Sequence, residues 1–130
     1  MNIALTAFTS RGAELAGRLT KGLTEDGHSC ALWVPERLAP ETGLPGYRSL
    51  GPWTAERFAD SDALLFVGAS GIAVRAIAPY VRDKFTDPAV VSVDEAGRFA
   101  VPLLSGHVGG ANDLARLVAR RTGGTAAVST

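Results

Sequence analysis

The sequence predicts an α/β fold, an open three-layer sandwich on a mostly parallel sheet with one antiparallel strand pair. Three observations point there. Short apolar runs alternate with longer stretches of helical periodicity, as strands and crossover helices do. The run "ALLFV" (residues 63–67) is apolar throughout, as a strand covered by helices on both faces must be. "AVVSV" and "FAVPLL" flank "DEAGR", whose Gly97 supplies the positive φ of a tight connection, so these two form the antiparallel pair.

In chain order, "NIALTAF" is short, apolar and bounded by turn formers, which suits a buried strand. After "TSRG", Leu15, Ala16, Leu19 and Leu23 fall on one face of a helix. "CALWV" is a second strand. "PERLAPETGLPGYRSLGP" holds four prolines and three glycines and reads as a long surface connection. Pro52 then occupies the first turn of a helix running through "WTAERFAD". Beyond "ALLFV", the residues Ala73, Ala76, Ile77 and Tyr80 keep helical spacing, and Pro79 must kink that helix or end it near Ala78. Pro102 demotes "FAVPLL" to an edge strand or a strand end. A last helix shows Ala111, Leu114, Ala115 and Val118 on one face and stops at Gly123-Gly124, after which "TAAVS" begins one more strand.

One domain covering residues 1–130 is expected. A chain of this length, 46% hydrophobic and 20% charged, can bury roughly two-thirds of its unfolded surface and needs no metal or disulfide staple. Cys30, the one cysteine, reads as a plain buried residue in a reducing compartment. Thirteen basic residues balance thirteen acidic ones, which removes the general drive toward nucleic acid or an anionic membrane. The opening "MNIALTAFTSRGAEL" lacks the regions of a secretory signal, so a cytoplasmic location is expected. With two histidines and one cysteine, no protein metal site is expected.

Chemistry is expected at three strand-to-helix turns: "TSRG", "GASG" (residues 68–71) and "SGHVGG" (residues 105–110). All three are assigned to one border of the sheet, the carboxyl ends of the strands, where ligands of open α/β sheets lie. A helix N-terminus there offers unpartnered N–H groups and partial positive charge to a carboxylate or phosphate. None of the turns matches a phosphate-loop or dinucleotide pattern, and Gly68 and Gly71 read equally well as close-packing glycines. His28, in the polar turn "EDGHSC", reads as a loop residue. For His107 two readings stay open, a general base or oxyanion donor, and a helix cap. A Ser105–His107–Asp113 triad is formally available but disfavoured. Asn112 and Asp113 either cap the last helix or reach into the cleft. Arg75, Arg82 and Lys84 are close in the chain and could clamp several carboxylates, Arg75 being the best placed of the three.

From "GASGIAVRAIAPYVRDKFTDPAVVSVDEAGR" through "LLSGHVGGAN" the sequence resembles the cobalamin biosynthesis protein G family, the cobalt-precorrin-5A hydrolases of the anaerobic corrin pathway. The resemblance covers residues 64–119 almost without interruption, and residues 1–63 more loosely. It implies an N-terminal α/β domain, and an enzyme that opens the ring A δ-lactone of cobalt-precorrin-5A with loss of a two-carbon fragment as acetaldehyde. The partner it implies is an anionic tetrapyrrole carrying its own cobalt, with no cofactor held by protein ligands; a homo-oligomer is left open. The resemblance does not itself assign catalytic roles; for lactone opening His107 is expected to activate water, with Ser105 and the N–H groups of Gly109 and Gly110 near the oxyanion. Gly68, Ser70, Gly71, Arg75, Lys84, Gly109, Gly110 and Asn112 are expected to hold the substrate. Family members also continue past "VST", so the 130 residues correspond to an excised N-terminal domain or a shortened member. The alternative function is a non-catalytic tetrapyrrole-binding module that needs that further region for activity.

Overall fold

The computed structural model describes all 130 residues. Strand β1 (Asn2–Ala7) enters the sheet, helix α1 (Ser10–Glu25) crosses over, and β2 (Ser29–Pro35) pairs parallel to β1. A short helix α2 (Ala39–Thr42) and a two-residue strand β3 (Gly46–Tyr47) follow. Helix α3 (Leu50–Asp60) leads back to β4 (Ala63–Val67), parallel to β1 on its other side. Helix α4 (Ser70–Ile77) crosses to β5 (Ala89–Val93), parallel to β4. Strand β6 (Phe99–Leu104) returns antiparallel to β5, and α5 (Ala111–Thr122) leads to the short β7 (Thr125–Ala126). The strand order is β3-β2-β1-β4-β5-β6-β7.

Connections diverge from the centre: β1 leads outward to β2, β4 outward to β5. Right-handed crossovers in opposite directions place their helices on opposite faces of the sheet. The core divides accordingly. Ile3, Leu5, Leu65, Val67 and Val91 pack against α1 and α5, while Ala4, Leu64, Phe66 and Val90 pack against α3 and α4. Alternate residues of one strand thus serve different layers, which is why "ALLFV" has no polar position.

Local chemistry sets the helix ends. The Thr9 hydroxyl accepts from Gly12 N–H at 3.0 Å and caps α1. Gly123, at φ 76°, ends α5 and donates to the Ala119 carbonyl. Helix α4 stops at Ile77 and tightens into a 3-10 turn over Ala78–Tyr80, the effect of Pro79. Arg75 and Arg82 therefore do not share a helix face.

Three expectations need correction. Residues 35–52 are not a plain surface connection, since β3 extends the sheet and buries Tyr47, whose hydroxyl meets Thr6 Oγ1 at 2.8 Å. "FAVPLL" is not an edge strand as a whole, because β7 lies outside it; β7 pairs only with Phe99 and Ala100, however, so Pro102 stands where the outer neighbour has ended. The glycine-rich turns, thirdly, do not all reach one end of the sheet.

Candidate functional site

Strand β6 runs antiparallel to β5 and so to β1 and β4, and the turn that follows it emerges at the opposite end of the sheet from the turns after β1 and β4. The expected convergence of three turns on one border does not occur. "TSRG" and "GASG" lie at the carboxyl edge of the parallel strands, and "SGHVGG" lies at their amino edge. Gly68, Ser70, Gly71 and Arg75 are thereby separated from Ser105, His107, Gly109, Gly110 and Asn112. Lys84, in the loop entering β5, belongs with the second group. The sign was available in the sequence: a hairpin reverses direction, and the turn after its second strand must face the other way.

At the amino edge two loops are fastened together. Loop 81–88 winds around Asp87, whose buried carboxylate accepts from the N–H groups of Arg82 (2.8 Å) and Asp83 (3.1 Å). That carboxylate thus holds backbone and does not neutralise the Arg82 side chain. The Ser105 hydroxyl donates to the Asp87 carbonyl at 3.1 Å, tying loop 105–110 to the first loop. Ser105 is buried at φ 57°. Its hydroxyl does not face the solvent-exposed side, contrary to a place beside an oxyanion.

The glycines of "SGHVGG" are there for close approach. A Cβ on Gly106 would come within 2.8 Å of Asn112 Oδ1, and one on Gly109 within 2.8 Å of the Ser105 carbonyl oxygen. Gly110 takes a left-handed φ of 86° to start α5, and its N–H donates to the His107 carbonyl. Gly110 N–H is therefore engaged within the loop. The N–H groups of Ala111 and Asn112 go to the Ser105 and Gly106 carbonyls. Asn112 is buried and donates through Nδ2 to Thr130 Oγ1 at 3.3 Å, so it braces the loop.

What this packing leaves outward is His107, exposed at the loop tip beside Val108, with Gly109 N–H unengaged. Lys84 is exposed on the neighbouring loop, its Nζ 5.2 Å from the centre of the Phe85 ring. Phe85 and Val108 are among the most exposed apolar side chains of the molecule, at 64% and 69%. Neither was singled out from the sequence, where an apolar residue in a loop carries no positional signal.

The carboxyl edge is a second, separate surface. Between β1 and β4, where the connections diverge, Phe8 and Gly68 approach so closely that a Cβ on Gly68 would meet Phe8 Cδ2 at 3.0 Å. Gly68 reads here as a packing glycine. Ser70 Oγ pairs with Ser92 Oγ at 2.7 Å, and Thr9 Oγ1 donates to Glu95 Oε1 at 2.7 Å. Arg75 folds back toward the start of α4, its Nη1 3.5 Å from where a Gly71 Cβ would stand. Beside this surface, burial raises the Asp94 carboxyl but N–H groups of Phe99, Arg98 and Ala96 outweigh it and hold the group below its usual range. His28 faces the N-terminal amine at 3.1 Å, a loop role. No group of three His, Cys, Asp or Glu residues lies close enough to hold a metal ion, and no helix is long and apolar enough to cross a membrane.

Fold and loops together define an open, doubly wound α/β domain with glycine-rich turns at the two ends of the sheet. The chain belongs to the Cobalamin synthesis G N-terminal family, whose model matches residues 52–130. It is 41% identical over 129 residues to the cobalt-precorrin-5A hydrolase of Salmonella typhimurium, covering 99% of this chain and 35% of that protein. Over 62 residues it is 48% identical to the cobalt-precorrin-5A hydrolase of Priestia megaterium, covering 48% of this chain and 17% of the relative. A solved structure of a cobalamin biosynthesis protein G homolog from Sulfolobus solfataricus superposes with a TM-score of 0.78 at 23% identity, over 98% of this chain and 36% of that one. That likeness establishes the shared fold. The chain spans about a third of the length of the Salmonella relative.

Proposed function

We propose that this chain supplies the N-terminal part of a cobalt-precorrin-5A hydrolase and meets its tetrapyrrole substrate at the amino edge of the sheet. The reaction is opening of the ring A δ-lactone, followed by loss of the two-carbon fragment as acetaldehyde. Similarity to the Salmonella and Priestia hydrolases supports the activity. The observation that carries the site is His107, an imidazole held out to solvent by a loop that is fastened at its base through the Ser105 hydroxyl, Asn112 and the Ser105, Gly106 and His107 carbonyls.

In this reading the His107 imidazole takes a proton from water as the water oxygen bonds to the lactone carbonyl carbon. Charge developing on the carbonyl oxygen is met by the N–H of Gly109. When the acyl C–O bond breaks, the proton on His107 passes to the departing alkoxide. Lys84 and Arg82 attract the carboxylate arms, and the Phe85 ring gives the flat macrocycle an apolar surface. Cobalt arrives within the substrate. Ser105 and Asn112 position the loop, and Gly68, Ser70, Gly71 and Arg75 lie outside this site.

Incubating the chain with cobalt-precorrin-5A and assaying acetaldehyde tests the proposal, with His107→Ala as the variant. Turnover that drops at least a hundredfold in the variant supports it. Binding without turnover, with activity appearing only when the chain stands within a full-length hydrolase, favours the non-catalytic module. That reading is supported by the third of the relative's length that the chain spans. Unchanged turnover in His107→Ala contradicts the assignment of the base.

A further inference from the structure

We infer that the amino edge is also the docking surface for the polypeptide that the longer relatives carry beyond the matched segment, so that the site is closed between the two. The inference deepens the functional reading above and rests on it for the location of the site.

Four observations converge. Of the large apolar side chains left exposed, Met1, Val81, Phe85 and Val108 gather on this edge. Met1 and Val108 line one cavity together with Thr86, the residue after Phe85, and Met1 Cε reaches to within 2.9 Å of where a Gly110 Cβ would stand. Such gathering marks an interaction surface more than scattered exposure does. Second, that cavity is open and about 300 Å³, at the lower limit for a small-molecule pocket. A macrocycle with many carboxylate arms needs a second wall. Third, Thr130 is hydrogen-bonded to Asn112 at the root of the His107 loop, so polypeptide that follows this segment in the relatives starts beside the patch. Fourth, the Salmonella relative carries about two thirds of its length outside the matched part, enough for a further folded region. At the carboxyl edge Phe99 is the exposed large apolar side chain, beside loops that carry Thr9, Ser10, Ser70 and Glu95.

The test compares amide hydrogen exchange in two contexts, without substrate: the 130-residue chain alone, and the same 130 residues replacing the matched segment of the full-length Salmonella hydrolase. Exchange at residues 84–86 and 107–109 is expected to slow at least tenfold in the chimera, with residues 9–11 and 69–71 unchanged. Equal exchange in both contexts, or slowing confined to residues 9–11 and 69–71, overturns the inference. Should the chimera not fold, the unmodified Salmonella hydrolase gives the same reading internally. There the loops equivalent to 84–86 and 107–109 should exchange at least tenfold more slowly than those equivalent to 9–11 and 69–71, and equality overturns the inference. Failure of the catalytic reading is separable. His107→Ala in the chimera should abolish acetaldehyde release while leaving the protection intact, and protection together with undiminished release would refute the base but not the docking.

Discussion

The Ser105 hydroxyl donates to the Asp87 carbonyl at 3.1 Å in a buried position, and this bond joins the two loops that carry His107 and Lys84. Ser105→Ala leaves a buried carbonyl without its donor and keeps the left-handed φ of 57°. A loss of about 1–3 kcal/mol is expected. Ser105→Gly loses the same bond but relieves the backbone, so it should be the less destabilised of the two. Urea unfolding of both variants decides; a Ser105→Ala protein as stable as the parent would show that the bond contributes nothing.

Gly109 and Gly17 should respond oppositely to alanine. A Cβ at Gly109 runs into Ser105, whereas one at Gly17, exposed within α1, meets nothing within 4 Å. Gly109→Ala is expected to cost about 1–3 kcal/mol through overpacking, and Gly17→Ala to stabilise by roughly 0.5–1 kcal/mol through helix propensity. Thermal unfolding measures both, and equal shifts would mean that the close approach at Gly109 is not a constraint.

Tyr47→Phe removes the one side-chain partner of Thr6 Oγ1, which is fully buried in β1. It should destabilise by about 1–3 kcal/mol. Adding Thr6→Val removes the stranded hydroxyl as well and should recover part of the loss. A double variant no better than the single one would contradict a pairwise bond.

Asp94 gives the acid limb of stability a specific contributor. Its oxygens accept from Phe99 N–H at 2.7 Å and Ala96 N–H at 3.2 Å, and its carboxyl is held below the usual range in the folded chain. A depressed folded pKa contributes stability above the unfolded value, about 3.9, and that contribution is lost as pH falls through the folded value. Asp94→Asn should therefore be less stable than the parent at pH 7, with the gap narrowing below about pH 4. Denaturant midpoints across pH 2–7 check this, and a pH-independent gap would assign the effect to packing alone.

The layers were legible because burial leaves a pattern. "ALLFV" and the helix stripes of α1 and α5 named the sheet centre and the faces that cover it. Strand β3 was not legible, since two residues carry no period and Tyr47 sits among prolines and glycines. The grouping of the site failed for a different reason. Each glycine-rich turn was recognisable, but which end of the sheet it reaches depends on strand direction, and β6 inverts it. Ser105, Gly109 and Gly110 carried a strong sequence signal because their backbone geometry is demanding, which is a signal of packing. The outward-facing His107 shares the stretch because that packing presents it.

Central to the proposed function is the end of the sheet that meets the tetrapyrrole. Titrating cobalt-precorrin-5A into the isotopically labelled 130-residue chain and following backbone amide shifts measures this directly. The largest shifts should fall at Lys84, Phe85, His107 and Gly109, with Thr9, Ser70 and Arg75 little changed. Largest shifts at Thr9, Ser70 and Arg75 would place the ligand at the carboxyl edge and contradict the account.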